Sequence, residues 1–257
     1  MKTPSDAGSL KRGVAILKLL ATAGTRGLAL TELSEKSQIP HPSVHRILGQ
    51  LAAERLTVAD DELRRYKLGP LAFELGVAGS TMYDIRDLCE PSMDMLARET
   101  GDTVYLVVRS GFDAVCLHRR EGAFPVRALM LEVGSRRPLG VGAGGLAILS
   151  AIGNEEREEV IERVGPSLSA FGKLSAQDLA ESCVQARALG AAVIQNRVRL
   201  GIKAVGVPFR GSMGQALGAL SVAALSQRLS QRRIAQVADM LHAATQSVEM
   251  LLRKRKT

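Results

Sequence analysis

At 257 residues, 46% hydrophobic and with a mean hydropathy of +0.07, the chain is long enough for two domains and too apolar for a disordered one. Its net charge of +8 suits a polyanionic partner or serves solubility alone. No Trp, three Tyr and five Phe supply few platforms for base stacking, which argues against single-stranded nucleic acid and leaves duplex DNA.

Cys89, Cys116 and Cys183 are odd in number and widely spaced. They suit a reducing compartment and form neither a disulfide framework nor a zinc site. The N-terminus lacks the apolar run of a signal peptide, and the longest uncharged stretch, Pro138 to Asn154, is too short to span a bilayer. A cytoplasmic protein without membrane contact is expected.

In chain order, residues 1–8 read as a lead. Ser9 is the expected cap of a first helix with Leu10, Val14, Leu17 and Leu20 or Ala21 on its apolar side. Gly24 to Gly27 turns the chain. Thr31 is the expected cap of a short second helix, with Glu32 in its first turn. Ser37-Gln38-Ile39-Pro40 forms the next turn, and Pro42 suits the opening of a third helix, where no N–H is needed. That third helix places Val44, Ile47, Leu48, Leu51 and Ala52 on one apolar stripe. Its other side carries His41, Ser43, His45, Arg46 and Gln50, hydrogen-bonding types with no acid among them. Such a face fits a DNA major groove; a plain solvated face is the alternative.

Leu56-Thr57-Val58 and Tyr66-Lys67-Leu68 follow as a hairpin, with Asp60-Asp61 at the tip and Arg64-Arg65 on the returning side. Helix, helix, turn, helix, hairpin is the order of a winged helix-turn-helix. Residues 1–59 hold 8 Lys and Arg against 4 acids, the local excess that phosphate binding requires.

From Ser9 to Pro70, the runs SLKRGVAILKLLA, GLALTELSEKSQIPHPSVHRILGQLAAERL and RRYKLGP resemble the N-terminal domain of the IclR family of bacterial transcriptional regulators. The resemblance implies that Ser43, His45 and Arg46 enter the major groove while Arg64 and Arg65 lie near the backbone or minor groove. Arg46 can reach a guanine edge or a phosphate, and backbone N–H groups near Pro42 and Ser43 can cap a phosphate. His41 stands where Lys or Asn is common in the family, which makes its contact particular to this chain. His41, Pro42, Ser43, His45, Arg46, Gln50, Arg64 and Arg65 are the expected DNA-binding residues. A winged helix with a protein-interaction role is the alternative reading of the module.

Residues 71–83 read as a linker helix weakened by Gly76 and Gly79, at about 1 kcal/mol each relative to Ala. From residue 84 a helix is expected to Gly101, then strands at Thr103–Val108, Ala114–His118 and Arg127–Leu131. Helices follow at Ala143–Ile152, Glu155–Val164 and, capped by Ser175, Ala176–Leu189. Strands return at Ala191–Gln195, Ile202–Phe209 and Ala216–Ala224, before a last helix from Ser230 towards a basic tail. Strands in meander order with intervening helices imply an antiparallel sheet flanked by helices. The fold class is α+β: a winged helix-turn-helix (1–70), a linker helix (71–83) and an effector-binding and oligomerisation domain (84–257) that by resemblance is GAF- or PAS-like.

Within the second domain, Gly140, Gly142, Gly144 and Gly145 open an apolar helix, and the uncapped N–H groups there suit a carboxylate or phosphate. Close helix–sheet packing through glycines is the plain alternative. A small-molecule enzyme using loop 140–145 is the lesser one, since the segment departs from the dinucleotide fingerprint in spacing and no catalytic grouping can be argued. The resemblance implies that the amides of Ala143 and Gly144 hold an organic acid, with Gly140 and Leu146 where His and Lys are usual. Side chains of later strands complete the family's site; the matching positions are Ile194, Ala204, Ser221 and Ala223, of which only Ser221 is polar. Gly142, Ala143, Gly144, Gly145, Ile194, Ala204, Ser221 and Ala223 are therefore the expected effector residues, facing an acid larger or more apolar than glyoxylate, such as an aromatic carboxylate. Arg136 either adds charge to this site or faces water, and His118-Arg119-Arg120 are expected to solvate a strand end, with a place in the effector pocket as the alternative. The four histidines have no metal spacing, and no cofactor is expected. The chain reads as a non-enzymatic regulator binding double-stranded operator DNA as a dimer or dimer of dimers, under control of a small carboxylate.

Overall fold

The computed structural model describes residues 8–23, 26–60, 62–78, 83–126, 128–196 and 200–254, and the chain divides after Tyr83 into two units. The first contains α1 (Ser9–Ala21), β1 (Leu28–Ala29), α2 (Leu30–Ser37), α3 (His41–Ala53), β2 (Thr57–Asp60), β3 (Arg65–Leu68) and α4 (Pro70–Ala78). Gly8, not Ser9, is the cap residue of α1. Its buried side is Gly13, Ile16 and Leu20, whereas Leu10 and Val14 of the expected stripe are 81% and 39% exposed. Gly13 faces Ile47 and Leu51 of α3, which turns this side of α1 inward. On α3, Val44, Ile47 and Leu48 are buried as the stripe requires, Leu51 is half-buried, and Ala52 is exposed.

The start of α2 also differs from expectation. Thr31 lies inside the helix, and the cap position is Ala29, which has no side-chain acceptor. Its N–H instead donates to the Glu32 carboxylate at 2.7 Å, so the acid of the first turn satisfies the chain end. The hairpin forms in the register Thr57↔Leu68 and Asp60↔Arg65, and β1 joins it as an unexpected third strand through Leu28↔Tyr66. Asp61 of the expected tip, Gly24, and Gly79 of the expected linker lie outside the described residues. In place of one helix over 71–83, α4 ends at Ala78.

The second unit contains α5 (Tyr83–Thr100), β4 (Thr103–Ser110), β5 (Asp113–Arg120), β6 (Arg136–Pro138), α6 (Gly142–Ala151), α7 (Asn154–Leu168), α8 (Ala176–Leu189), β7 (Ala192–Gln195), β8 (Ile202–Arg210), β9 (Ala216–Leu225) and α9 (Gln231–Lys254). Ser175 caps α8 as expected, accepting from the Asp178 N–H. The sheet is antiparallel in the order β6-β5-β4-β9-β8-β7. It is two three-stranded meanders joined through β4 and β9, not one meander. The expected strand at 127–131 is absent: residue 127 lies outside the described residues, and 128–131 are not in a strand. The Tyr105 hydroxyl donates to Ala128 O at 2.6 Å and accepts from the Met130 N–H at 2.8 Å, which satisfies that backbone without a partner strand. The third strand is β6, formed by Arg136 and Arg137 themselves.

Both faces of the sheet are covered, so β4 is buried from Thr103 through Val108 with no polar alternation. Val104, Leu106 and Val108 face a core shared with Met93 and Leu96 of α5 and Leu241 of α9. Tyr105 and Val107 face the opposite core, with Leu146 and Leu149 of α6 and Leu179 of α8.

Candidate functional site

On the N-terminal unit, His41, Pro42, His45, Arg46 and Gln50 are exposed along one side of α3, and Ser43 is half-buried. His41 and His45 share a hollow with Thr31, Asp60 and Arg64, so the exposed polar side of α3 and the wing border one concave surface. The helix start is less open to a phosphate than the sequence implies. Pro42 has no N–H, and the Ser43 N–H donates to Pro40 O at 2.9 Å, which leaves the His41 amide. The two wing arginines separate in role. Arg64 is exposed, with φ of 49° at the turn. Arg65 is 18% exposed and donates to the Glu32 carboxylate at 2.6 Å and to Gly27 O at 3.2 Å, so its guanidinium ties the wing to α2.

In the C-terminal unit, all eight expected effector residues line one cavity. Cross-strand register explains their convergence. Ile194, Ala204 and Ala223 stand side by side in one row across β7, β8 and β9, and Ser221 lies two residues along β9 on the same face, opposite Tyr105 of β4. The start of α6 lies over this row. A Cβ on Gly144 would stand 3.0 Å from Val107 and 3.6 Å from the Ser221 hydroxyl, and one on Gly206 would stand 2.6 Å from Ala143 O. Glycines thus bring the helix backbone down onto the sheet. No side chain caps α6, so its first N–H groups have no partner within the helix. Gly140 reaches φ +100° between Leu149 and Leu179, where no side chain would fit.

Ser221 is 5% exposed, and among the described residues its hydroxyl makes no hydrogen bond. Sequence reasoning missed the other lining residues, among them the apolar Val107, Met130, Leu131 and Ile202 and the polar Tyr105 and Arg137. Arg136, the arginine considered from sequence, turns instead to Asp113 at 2.9 Å and Ser110 at 3.1 Å. Alternation on β6 was the available signal, because two successive strand residues face opposite ways and only one of the two can enter the cavity.

A sequence profile described as "Bacterial transcriptional regulator IclR C-terminal" matches residues 79–250, and one described as "IclR helix-turn-helix domain" matches residues 9–61. The chain belongs to the IclR family. It is a DNA-binding transcriptional regulator with an N-terminal helix-turn-helix and a C-terminal effector-binding domain. Among curated relatives, the HTH-type transcriptional repressor AllR of Escherichia coli K12 is 26% identical over 249 residues, covering 96% of this chain and 90% of the relative. The HTH-type transcriptional regulator BhcR of Paracoccus denitrificans is 26% identical over 251 residues, covering 96% and 88%. An IclR regulator from Alicyclobacillus acidocaldarius shares the fold with a TM-score of 0.75 at 22% identity, over 97% of this chain and 99% of that one. An IclR homologue from Microbacterium hydrocarbonoxydans, solved in complex with 4-hydroxybenzoate, gives 0.73 at 22% identity, over 96% and 99%.

The other polar residues considered from sequence lie outside the cavity lining of this IclR-family chain. Contrary to the expected solvation, His118 is 7% exposed and stands 3.9 Å from Glu90. Burial, together with Arg86 and Arg120, holds its pKa below the usual value and keeps the ring neutral. Arg119 pairs with Glu121 and Glu132, and Arg120 with Glu90 and Asp94. Burial pushes Cys89 and Cys116 up to about 12 and Cys183 to about 11, so none is a thiolate nucleophile at neutral pH. Among the described residues no cluster of three or more His, Cys, Asp or Glu could hold a metal, and no helix is long and apolar enough to cross a membrane.

Proposed function

We propose that the chain is a cytoplasmic, homo-oligomeric regulator whose operator binding is switched by an organic acid in the C-terminal cavity. The observation that carries the effector assignment is the pairing of an uncapped α6 start with the unbonded Ser221 hydroxyl in one largely apolar cavity. Donors that face a cavity without protein acceptors suit an anion, and a carboxylate supplies acceptors for both. Val107, Met130, Ile194 and Ile202 provide an apolar wall for the rest of the molecule, which supports an acid with a hydrocarbon body over a two-carbon acid. The aromatic acid bound by the Microbacterium homologue is a ligand of that kind.

On the DNA side, His45 and Arg46 enter the major groove with Ser43 and Gln50 beside them, and Arg64 meets the backbone from the wing. His41 and Pro42 approach the phosphates at the helix start. A two-fold oligomer presents two such modules to a palindromic operator. Effector binding shifts the population of oligomer arrangements that fit the two half-sites.

A thermal-shift screen of organic acids, followed by gel shifts on a duplex selected from random sequence, tests the switch. The expected result is an acid that raises the melting temperature and changes duplex affinity. Stabilisation that leaves DNA binding unaltered would sink it. Arg46→Ala should cost about 1–3 kcal/mol of duplex affinity and relax sequence preference if the groove assignment is right.

A further inference from the structure

The cavity holds a charge that the amide cradle does not explain. Arg137 lines it, is half-buried, and donates through Nη2 to Met130 O at 2.6 Å. Among the described residues no carboxylate pairs with Arg137, and no acid lines the cavity. One carbonyl leaves most of the five guanidinium donors unused, in surroundings dry enough to depress the arginine pKa. A buried unpaired cation is costly, so an anion entering beside it gains more than at the surface.

Position adds a second constraint. The Tyr105 hydroxyl also ends at Met130, so phenol and guanidinium meet at the same stretch of backbone. Tyr105 and Ser221 are direct cross-strand partners, close at their Cβ atoms. The Tyr105 side chain thus runs from its register position beside Ser221 to the Met130 backbone that Arg137 also reaches.

We infer that the effector is a rigid dianionic acid lying alongside the Tyr105 ring, with one carboxylate on the α6 amides and Ser221 and a second on the Arg137 guanidinium. This rests on reading the cavity as the effector site. A para-disposed aromatic dicarboxylate has the required length, a flat apolar body for the Val107 and Ile194 walls, and a charge at each end. Arg137 then determines specificity, and by giving up Met130 O for the ligand it also couples the ligand to segment 128–131.

Calorimetric titration of the full chain with benzoate, 4-hydroxybenzoate and terephthalate tests this, for the native protein and for Arg137→Met and Arg137→Lys. Terephthalate is expected to bind at least tenfold tighter than either monoacid. Arg137→Met should erase that preference, terephthalate losing at least tenfold more affinity than benzoate, and the benzoate binding that remains also reports an intact cavity. Arg137→Lys should retain part of it. Equal affinity for 4-hydroxybenzoate and terephthalate, or a preference that survives in Arg137→Met, would overturn the dianion while leaving a monoacid site intact. Equal loss of benzoate and terephthalate in Arg137→Met would place the single carboxylate on Arg137 and overturn it as well. Failure of all three acids to bind the native protein would remove the cavity reading together with the inference.

Discussion

The Arg65 guanidinium lies 2.6 Å from the Glu32 carboxylate, joining the returning wing strand to the first turn of α2. Glu32 is also the acceptor for the Ala29 N–H, so one acid closes the helix start and positions the wing. Arg65→Ala should lower the melting temperature of the protein, whereas Arg64→Ala should leave it unchanged and reduce the salt dependence of DNA binding by a slope of about 1. Thermal melts paired with salt-series gel shifts check the division. If Arg65→Ala melts like the native protein and only DNA binding suffers, the two roles are reversed.

The same pair sets an acid limit. Glu32 is held below the usual carboxylate range by the Ala29 N–H and then by Arg65, and Asp60 by Lys67 and the Leu63 N–H. A depressed folded-state pKa contributes stability above the unfolded value, and that contribution is lost as pH falls through the folded one. The N-terminal unit should therefore weaken on acidification through and below the ordinary carboxylate range, and Glu32→Gln should flatten that loss. Denaturation followed at a series of acidic pH values shows it; identical slopes for the two proteins would refute it.

Gly140 tests the packing behind the cavity. An added Cβ would stand 2.7 Å from Leu179 and 2.8 Å from Leu149, at a φ that side chains avoid. Gly140→Ala should cost about 1–3 kcal/mol by chemical denaturation. Gly206→Ala acts on the cradle more directly, because its Cβ would push on Ala143 O and Gly144 N. It should weaken binding of any acid that the native protein takes up, as read by titration calorimetry. Unchanged acid affinity in Gly206→Ala would detach the α6 backbone from the ligand.

The thiols give a check that needs no ligand. All three are buried and pushed well above neutral, so a thiol-reactive disulfide dye should label none of them in the native protein at pH 8 and all three after unfolding. Rapid labelling of the folded chain would contradict the burial.

Much of this was legible from residue order. Most of the α3 stripe, the wing hairpin and the Ser175 cap follow from local chemistry, and family resemblance together with the glycine-rich helix start supplied the eight positions that the structure gathers around one cavity. What escaped depends on partners distant in sequence. α1 presents Gly13 and not Val14 because α3 packs against it, which a lone amphipathic pattern does not reveal. Segment 128–131 avoids a strand because one tyrosine hydroxyl satisfies it from another element. Arg136 and Arg137 are chemically identical neighbours, and only the pairing of β6 with β5 decides which turns to Asp113 and which to the cavity.

The seam between β4 and β9 constrains how the protein is made. Tyr105 meets Ser221 only when nearly the whole chain has been synthesised, so the first meander must wait with an unpaired, largely apolar edge strand. The N-terminal unit is closed by local contacts and can fold on emergence from the ribosome. A nascent chain arrested before β9 would carry a finished DNA-reading module attached to an aggregation-prone half sheet. Truncation within the last strands is thus a route to insoluble protein, not to a regulator that merely ignores its ligand.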